Sequence, residues 1–179
     1  MIKLNAQELR TIPVDGEEAR KIKRNPITIV CDNVLDTYNV GSIFRLADAV
    51  AAEKVILCGA TETPPNSRIK KASINTWQWI DWTHEQSAML AISKLKALNP
   101  KLSIVAVEQD KRSKLFYQVK YEMPITLIVG NETYGVSKDV LDIADEIVEL
   151  PMWGVNKSLN VMVSCGIVLH EIMKQINTR

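Results

Sequence analysis

The stretch ITIVCDNVLDTYNVGSIFRLADAVAAEKVILCG, residues 27–59, decides the predicted fold because it places a helix between two buried strands. ITIVCD (27–32) is a β-branched run bounded by turn residues, and KVILCG (54–59) is a second apolar run closed by a glycine. Both patterns are typical of buried strands. Between them, residues 39–52 carry apolar side chains at three- and four-residue spacing, which predicts an amphipathic helix. The stretch therefore predicts a strand–helix–strand unit.

The same alternation continues along the chain. Apolar runs and helical spacing predict further strands at 102–108, 125–130 and 146–150, and further helices at 84–98, 137–144 and 158–176. The pair Pro64–Pro65 makes residues 60–77 a predicted loop. Because each strand is apolar throughout, the sheet is expected to be parallel and covered on both faces. The predicted fold class is α/β, a parallel sheet with helices on both faces.

Length and composition limit the class of protein. The chain has 179 residues, 46% hydrophobic and 24% charged, which fits one domain with a sizeable core. We expect residues 1–25 to form an N-terminal arm and 26–179 to form that domain. The formal net charge is only +1, so any nucleic-acid surface must be local. The chain has no signal-peptide core and no apolar run near the ~20 residues of a membrane helix, which predicts a soluble, cytoplasmic protein.

The cysteines and the missing phosphate-loop motifs exclude several kinds of site. Cys31, Cys58 and Cys165 are scattered in apolar runs, so we expect reduced core residues and no metal site. The chain contains neither a Gly-x-Gly-x-x-Gly fingerprint nor a Gly-Lys-Ser/Thr loop. This argues against an ordinary nicotinamide-binding domain and against a phosphate-binding P-loop.

Polar loops follow the predicted carboxyl ends of four strands, which is where open α/β sheets bind ligands. These loops are DNVLDTYNVGSIFR (32–45), EQDKRS (108–113), GNETYGVS (130–137) and PMWGVNKSLN (151–160). Three of the four combine glycine with carboxamide or carboxylate side chains, which core packing does not need. Residues in these loops are therefore the candidates for a ligand site.

Each candidate also has a structural explanation when taken alone. Asn39 could cap its helix, Arg45 could be a solvated helix residue, and Ser158 could cap the last helix. Gly130 could let the backbone approach a ligand or could belong to an ordinary strand-to-helix turn. Asn160 has no propensity reason to lie in a first helical turn. The case for function depends on the combination.

Taken together, NVGSIFR (39–45), IVGNETYGVS (128–137) and LPMWGVNKSLNV (150–161) resemble the three ordered motifs of the SpoU-type (TrmH-like) RNA ribose 2'-O-methyltransferases of the SPOUT superfamily. The resemblance extends over residues 27–176. It implies a trefoil-knotted C-terminal region and a homodimer with sites at the subunit interface. It also implies that S-adenosylmethionine is the cofactor and that a methyl group is transferred to a ribose 2'-hydroxyl.

The resemblance also implies roles for individual residues. Arg45 would be catalytic, with Asn39 as its positioning partner. Glu132 would stabilise the loop or the pocket, and Ser158 and Asn160 would help to shape the active site. A guanidinium normally keeps its proton, so we expect Arg45 mainly to bind phosphate and to stabilise the developing alkoxide. The alternative is that Arg45 acts as a base, with its deprotonation assisted by the substrate phosphate. The cofactor is expected to lie against Val107, Gly130, Leu150, Met152, Ser158 and Leu159.

The substrate is predicted from local charge and from two further resemblances. The candidate RNA-binding segments are RKIKR (20–24), the group Arg68, Lys70 and Lys71, and the group Lys111, Arg112 and Lys114, each of which could also be a solvated charge cluster. Trp77, Trp79 and Trp82 could stack on bases or pack in the core.

In the family that the chain resembles, members that act on rRNA often carry an additional N-terminal domain, so the short arm 1–25 leads us to expect tRNA rather than rRNA as the substrate. VAVEQDKRS (105–113) and KASINTWQWIDW (71–82) also resemble segments of relatives that modify the D-loop guanosine of tRNA. The alternatives are an rRNA 2'-O-methyltransferase, a non-catalytic RNA-binding module of the same fold, and a small-molecule enzyme of doubly wound fold. Lys157, where many relatives carry an acidic or amide residue, is interpreted as a variation on the substrate side, and the alternative is an altered position of the cofactor or the RNA.

Overall fold

The computed structural model of the chain describes residues 3–5, 7–11, 14, 18–19 and 21–177. In these residues seven strands form one sheet, and helices connect most of them. The strands are β1 (Asn25–Asp32), β2 (Ala52–Cys58), β3 (Asp81–Glu85), β4 (Ser103–Val107), β5 (Lys114–Leu115), β6 (Ile125–Gly130) and β7 (Glu146–Glu149). The helices are α1 (Glu8–Thr11), α2 (Thr37–Ala49), α3 (Ser67–Ser73), α4 (Ala88–Leu98), α5 (Lys138–Ile143) and α6 (Val161–Asn177), with a 3₁₀ turn at Thr76–Gln78.

All neighbouring strands of the single sheet are parallel, in the order β3-β2-β1-β6-β4-β7-β5. In the centre of the sheet, Ile29 of β1 pairs with Val55 of β2 and with Leu127 of β6. The carboxyl ends of β1, β4, β6 and β7 therefore meet at one edge. The structure confirms the predicted parallel α/β fold, whereas the knotted threading of the C-terminal region stays a prediction.

Each strand of the centre buries both of its faces, as its continuous apolar sequence predicts. On one face, Ile29 and Phe44 belong to a core that α2, α3 and α6 cover. On the other, Val30 and Ile92 belong to a second core that α4 and α5 cover. This two-sided packing keeps the sheet rigid and leaves the loops at its edges free to form a site.

Several element boundaries differ from the prediction. The segment 81–85 is an edge strand. Helix α4 begins at Ala88, and the side chain of Ser87 caps it by accepting a hydrogen bond from the Leu90 N–H. The predicted loop 60–77 contains α3 and the 3₁₀ turn, and the polar segment after β4 contains β5. The last helix begins at Val161 rather than at Ser158.

Three other predictions concern single residue types. All three cysteines are buried and unbridged, and burial raises the pKa of the Cys58 and Cys165 thiols to about 12, so they stay protonated at neutral pH. The three tryptophans of segment 71–82 are partly buried against the core, which favours packing over base stacking. No helix in the described ranges has both the length and the apolar character that crossing a membrane requires.

Candidate active site

A cavity of about 430 Å³ lies at the carboxyl ends of β4, β6 and β7. The loops 108–109, 131–135 and 150–160 close around it. The sequence-predicted residues that line the cavity are Val107, Gly130, Glu132, Leu150, Met152, Ser158, Leu159 and Asn160. Three segments far apart in the chain thus form one concave site.

A chain of side-chain hydrogen bonds joins the three motif loops at one side of this cavity. The Nδ2 group of Asn39 donates to Oε1 of Glu132 at 2.8 Å. The Nδ2 group of Asn160 donates to Oδ1 of Asn39 at 3.0 Å. Asn39 is 5% exposed, so both of its amide atoms are used within the protein. We call these three side chains the amide–carboxylate network.

The carboxylate of Glu132 is held in its ionised form. Oε2 accepts from the Leu35 N–H and Oε1 from the Asp36 N–H, each at 3.0 Å, in addition to the bond from Asn39. Desolvation acts to raise the pKa of Glu132, but these three donors outweigh it and hold the pKa below its ordinary value. A carboxylate with lowered pKa and both oxygens engaged is a poor general base. Its geometry instead fixes the loop after β1 against the loop after β6.

The caps of two helices explain how the asparagines reach this position. Helix α2 begins two residues earlier than predicted, because Asp36 is its N-cap and accepts from the Tyr38 N–H at 2.8 Å. Asn39 is therefore inside the helix and does not cap it. At α6, Oδ1 of Asn160 accepts from the Met162 N–H at 2.9 Å, as an N-cap side chain does. The prediction that Ser158 caps this helix is therefore wrong, because the capping side chain is Asn160, two residues later.

The loop GNETYG folds back on itself. Asn131 and Gly135 exchange two backbone hydrogen bonds of 3.0 and 2.9 Å, and Gly135 has a φ of +70°. A Cβ atom at Gly130 would lie 2.2 Å from the backbone of Gly135. Packing within the loop therefore requires glycine at 130, and the approach of a ligand to its backbone stays a prediction.

Among the cavity residues that the sequence reasoning did not name, Glu108 and Gln109 anchor the loops. Oε2 of Glu108 accepts from the Val136 N–H and Oε1 from the Gln109 N–H, both at 2.8 Å. The side chain of Gln109 donates to the carbonyl of Lys157, which ties the loop after β4 to the loop after β7. The segment EQDKRS was singled out for its position after a strand, but nothing in its sequence marks these two residues as loop anchors.

A protein-family model matches the region of the chain that contains this site. The model described as the SpoU rRNA Methylase family matches residues 26–170. The chain belongs to this family. The matched region contains the whole amide–carboxylate network and the strands that carry the cavity.

Individual relatives of this SpoU-family chain act on RNA. It is 33% identical over 162 residues to the tRNA (guanosine(18)-2'-O)-methyltransferase of Aquifex aeolicus, covering 88% of this chain and 74% of the relative. The crystal structure of the A. aeolicus TrmH/SpoU tRNA modifying enzyme matches with a TM-score of 0.79 at 29% identity, over 97% of this chain and 83% of that one. An AdoMet-bound rRNA methyltransferase of Sinorhizobium meliloti matches with a TM-score of 0.78 at 26% identity, over 88% and 60%.

Arg45 is the one predicted catalytic residue of this SpoU-family chain that lies apart from both the cavity and the network. Its side chain is exposed and makes no hydrogen bond or ion pair with any residue in the described part of the chain. The neighbouring Leu46 lines an apolar groove with Met162, Ile167 and other residues of α6. Arg45 itself lines neither that groove nor the cavity.

The structure separates the basic segments that could bind RNA. Arg112 is bonded to Asp110 and Asp142, and Lys114 to Glu146, so two of the three cations in segment 111–114 are engaged. In segment 20–24, the Nη2 group of Arg24 donates to the carbonyl of Trp79, and Arg20 lies outside the described residues. The side chains of Arg68, Lys70 and Lys71 on α3 are exposed and form no ion pair with described residues. This leaves α3 as the strongest candidate surface.

Proposed function

We propose that this chain is an S-adenosylmethionine-dependent methyltransferase that methylates a ribose 2'-hydroxyl of RNA. The observation that carries the proposal is the cavity at the strand ends with the amide–carboxylate network at its side. Membership in the SpoU family and the activities named for its relatives support the same conclusion.

The cavity suits S-adenosylmethionine in size and in chemistry. Its volume of about 430 Å³ lies within the ~300–1,000 Å³ of small-molecule sites. Val107, Leu150 and Met152 give it an apolar wall for the adenosine, and the carboxylates of Glu108 and Glu149 face a ligand that carries a sulfonium and an ammonium. When bound, this cofactor supplies an electrophilic methyl group. The proposed cofactor residues also include Gly130, Ser158 and Leu159.

The network is proposed to position the reacting groups rather than to exchange protons. Glu132 accepts three hydrogen bonds and is ionised, so it holds Asn39 and the backbone after β1 in one geometry. Asn160 is fixed by Asn39 on one side and by the Met162 N–H on the other. Alignment of the nucleophile with the methyl donor can lower the activation free energy of an in-line displacement by many kcal/mol. The proposed role of all three side chains is this alignment.

Arg45 is proposed to provide the positive charge for the reaction. A free guanidinium can bind an RNA phosphate bidentately and stabilise an alkoxide that develops on the ribose. Arg45 precedes Leu46, which lines the apolar groove of α2 and α6, and we propose that a second copy docked in this groove brings Arg45 to the partner's cavity. This is consistent with a site that is completed at a subunit interface.

A homodimer is therefore part of the proposal. The apolar groove has a volume of about 520 Å³, and its lining includes Leu46, Phe116, Met162, Gly166 and Ile167. Val163, on the same helix, is also exposed. Apolar surface of this kind, rimmed by His170 and Glu171, is typical of an interface between subunits. The proposed occupant is the same face of a second copy.

The proposed substrate is tRNA rather than rRNA, and the favoured target is the D-loop guanosine. Support comes from the 33% identical relative, whose name specifies guanosine 18 of tRNA. We further propose that residues 26–179 form the catalytic domain after an arm at 1–25, and that the protein acts in the cytoplasm, where it meets tRNA.

Methyl transfer from tritiated S-adenosylmethionine to unmodified total tRNA and to rRNA tests the proposal. We expect label in tRNA, and calorimetry should show that the protein binds the cofactor. If the protein does not bind the cofactor even at millimolar concentration, the result would favour a non-catalytic RNA-binding module. Cofactor binding without label in any RNA would favour a small-molecule enzyme.

A further inference from the structure

A second concave surface adjoins the cavity. None of the proposed cofactor residues lines it. This polar groove of about 900 Å³ lies between the loop after β1, the loop after β2 and the loop after β6. Asn131, Glu132 and Thr133 line both the cavity and the groove. A ligand in the groove would therefore be in contact with the wall that also faces the cofactor.

The polar side chains of the groove divide into engaged and free groups. The side chain of Asp36 caps α2, and that of Asn66 accepts from the Arg68 N–H at 2.9 Å and the Ile69 N–H at 3.3 Å. The carboxylate of Glu62 and the guanidinium of Arg68 are exposed, and neither makes a hydrogen bond or ion pair with any described residue. Two opposite charges thus face one groove without pairing with each other.

The groove also contains the aromatic ring of Tyr38, next to the amide–carboxylate network. Tyr38 is 47% exposed and immediately precedes Asn39 in α2. Single-stranded RNA is read by stacking a base on an aromatic ring and by hydrogen bonds to its Watson–Crick edge. Tyr38 and Glu132, the hydrogen-bond partner of Asn39, line the same groove, so a base stacked on Tyr38 would lie on the network side of the site.

On the basis of the proposed function, we infer that the polar groove receives a guanine base, with Glu62 as its specificity determinant. Guanine presents two adjacent donors, N1–H and N2–H, which one carboxylate can accept together. Adenine and cytosine each present a ring acceptor where guanine has N1–H, and a carboxylate repels it. Uracil offers a single donor between two acceptors. Arg68 binds a phosphate next to this nucleotide, and Tyr38 provides the stacking surface.

The experiment compares tRNA transcripts that differ only at the methylated position. After that position has been mapped with the wild-type protein, transcripts are made with guanosine, inosine or adenosine there, and kcat/KM for methyl transfer is measured for each. Inosine lacks only the N2 amino group. We expect the wild type to prefer guanosine over inosine by about 10-fold, the scale of one specific base contact, and over adenosine by more.

Glu62→Gln should reduce kcat/KM on the guanosine transcript by about 10-fold and bring the guanosine-to-inosine ratio close to one. The matched control Glu53→Gln, at an exposed carboxylate near the opposite end of β2, should behave as the wild type. Cofactor affinity, measured by calorimetry, should be the same in all three proteins. A guanosine-to-inosine ratio in Glu62→Gln equal to that of the wild type overturns the assignment of Glu62 and leaves the proposed function intact. Methylation of a nucleotide other than guanosine also overturns it, and no transfer to any RNA overturns both.

Discussion

The side-chain amide of Asn39 donates a 2.8 Å hydrogen bond to Glu132, and this bond joins two loops whose residues are 93 positions apart in the chain. The same amide accepts from Asn160, 121 positions further along than Asn39. One buried side chain therefore fixes the relative positions of all three motif loops. The predictions below follow from this arrangement and from the surfaces around it.

Replacing Asn39 with aspartate should disable the network without changing the size of the side chain. A second carboxylate would face Glu132 without a donor between them. We expect the free energy of unfolding to fall by about 1–3 kcal/mol, the scale of a lost buried hydrogen bond. Methyl transfer should fall by roughly 100-fold, the scale of a lost positioning contact.

Urea unfolding and steady-state kinetics measure both effects. Asn99→Asp is the matched control, because Asn99 lies at the end of α4 and its Oδ1 only accepts a hydrogen bond, from the Lys101 N–H. The control should stay within about 0.5 kcal/mol of the wild type. Wild-type kinetics in Asn39→Asp would contradict the proposed positioning role.

The lowered pKa of Glu132 makes stability depend on pH in a defined direction. Because the folded protein holds this carboxylate ionised, its contribution is fully present above the ordinary Glu pKa of about 4.3 and is lost as pH falls through the lower folded value. The stability difference between the wild type and Glu132→Gln should therefore be constant above about pH 5 and shrink below about pH 4. Urea unfolding from pH 7 to pH 3 measures it. A difference that grows on acidification would have the wrong sign for this account.

The sequence predicted the strands and helices that bury apolar side chains in a regular local pattern. The central strands are continuous apolar runs because both faces are buried, and α2, α4 and α6 show helical spacing because one side of each packs on the sheet. Strand β3 was missed because it lies at the edge of the sheet and its residues DWTHE are partly exposed, so no apolar run marks it. Helix α3 was missed because only Ile69 and Ser73 of its seven residues are buried, which gives no periodic pattern.

The site was predictable in part for similar reasons. The three motifs identified the loops that form the site. In a parallel sheet, the carboxyl ends of the strands that precede these loops lie at one edge. The pairing of Asn39 with both Glu132 and Asn160 depends on side-chain positions that no spacing rule contains. The anchoring role of Glu108 is of the same kind, since it depends on a contact with Val136 across 28 positions.

Arg45 should matter for activity and not for stability. Its side chain is exposed and has no partner among the described residues, so Arg45→Ala should change the free energy of unfolding by less than about 0.5 kcal/mol. Methyl transfer should fall by roughly 100-fold or more, because charge that develops on the ribose loses its stabilisation. Arg45→Lys keeps the charge but not the planar fork. Near-wild-type kcat in Arg45→Lys, across a pH–rate profile, would contradict an essential bidentate contact.

The apolar groove of α6 should be a dimer interface. Ile167→Glu places a charge in this groove, and we expect light scattering after gel filtration to give a monomer with methyl transfer close to background. Leu98→Glu is the matched control, because Leu98 is an 85% exposed apolar residue at the end of α4, on the other face of the sheet. A wild-type protein that is monomeric at all concentrations, yet active, would contradict the dimer.

The free lysines of α3 should bind RNA phosphates. The double substitution Lys70→Ala with Lys71→Ala should weaken tRNA binding and reduce the slope of log affinity against log salt by about 0.7–0.9 for each lost phosphate contact. Lys101→Ala, at an exposed cation before the start of β4, is the control and should leave the slope unchanged. Arg112→Ala should change stability more than tRNA affinity, since its partners are Asp110 and Asp142. An unchanged slope in the double variant would remove α3 from the RNA surface.

The chemical identity of the methylated nucleoside tests the central claim most directly. Unmodified tRNA is incubated with the protein and with S-adenosylmethionine that carries an isotopic methyl label, digested to nucleosides and analysed by mass spectrometry. The account predicts that the label appears in one 2'-O-methylated nucleoside, and that this product is lost in Asn39→Asp. Label on a nucleobase, or an RNA that stays unlabelled although the cofactor binds, would contradict it.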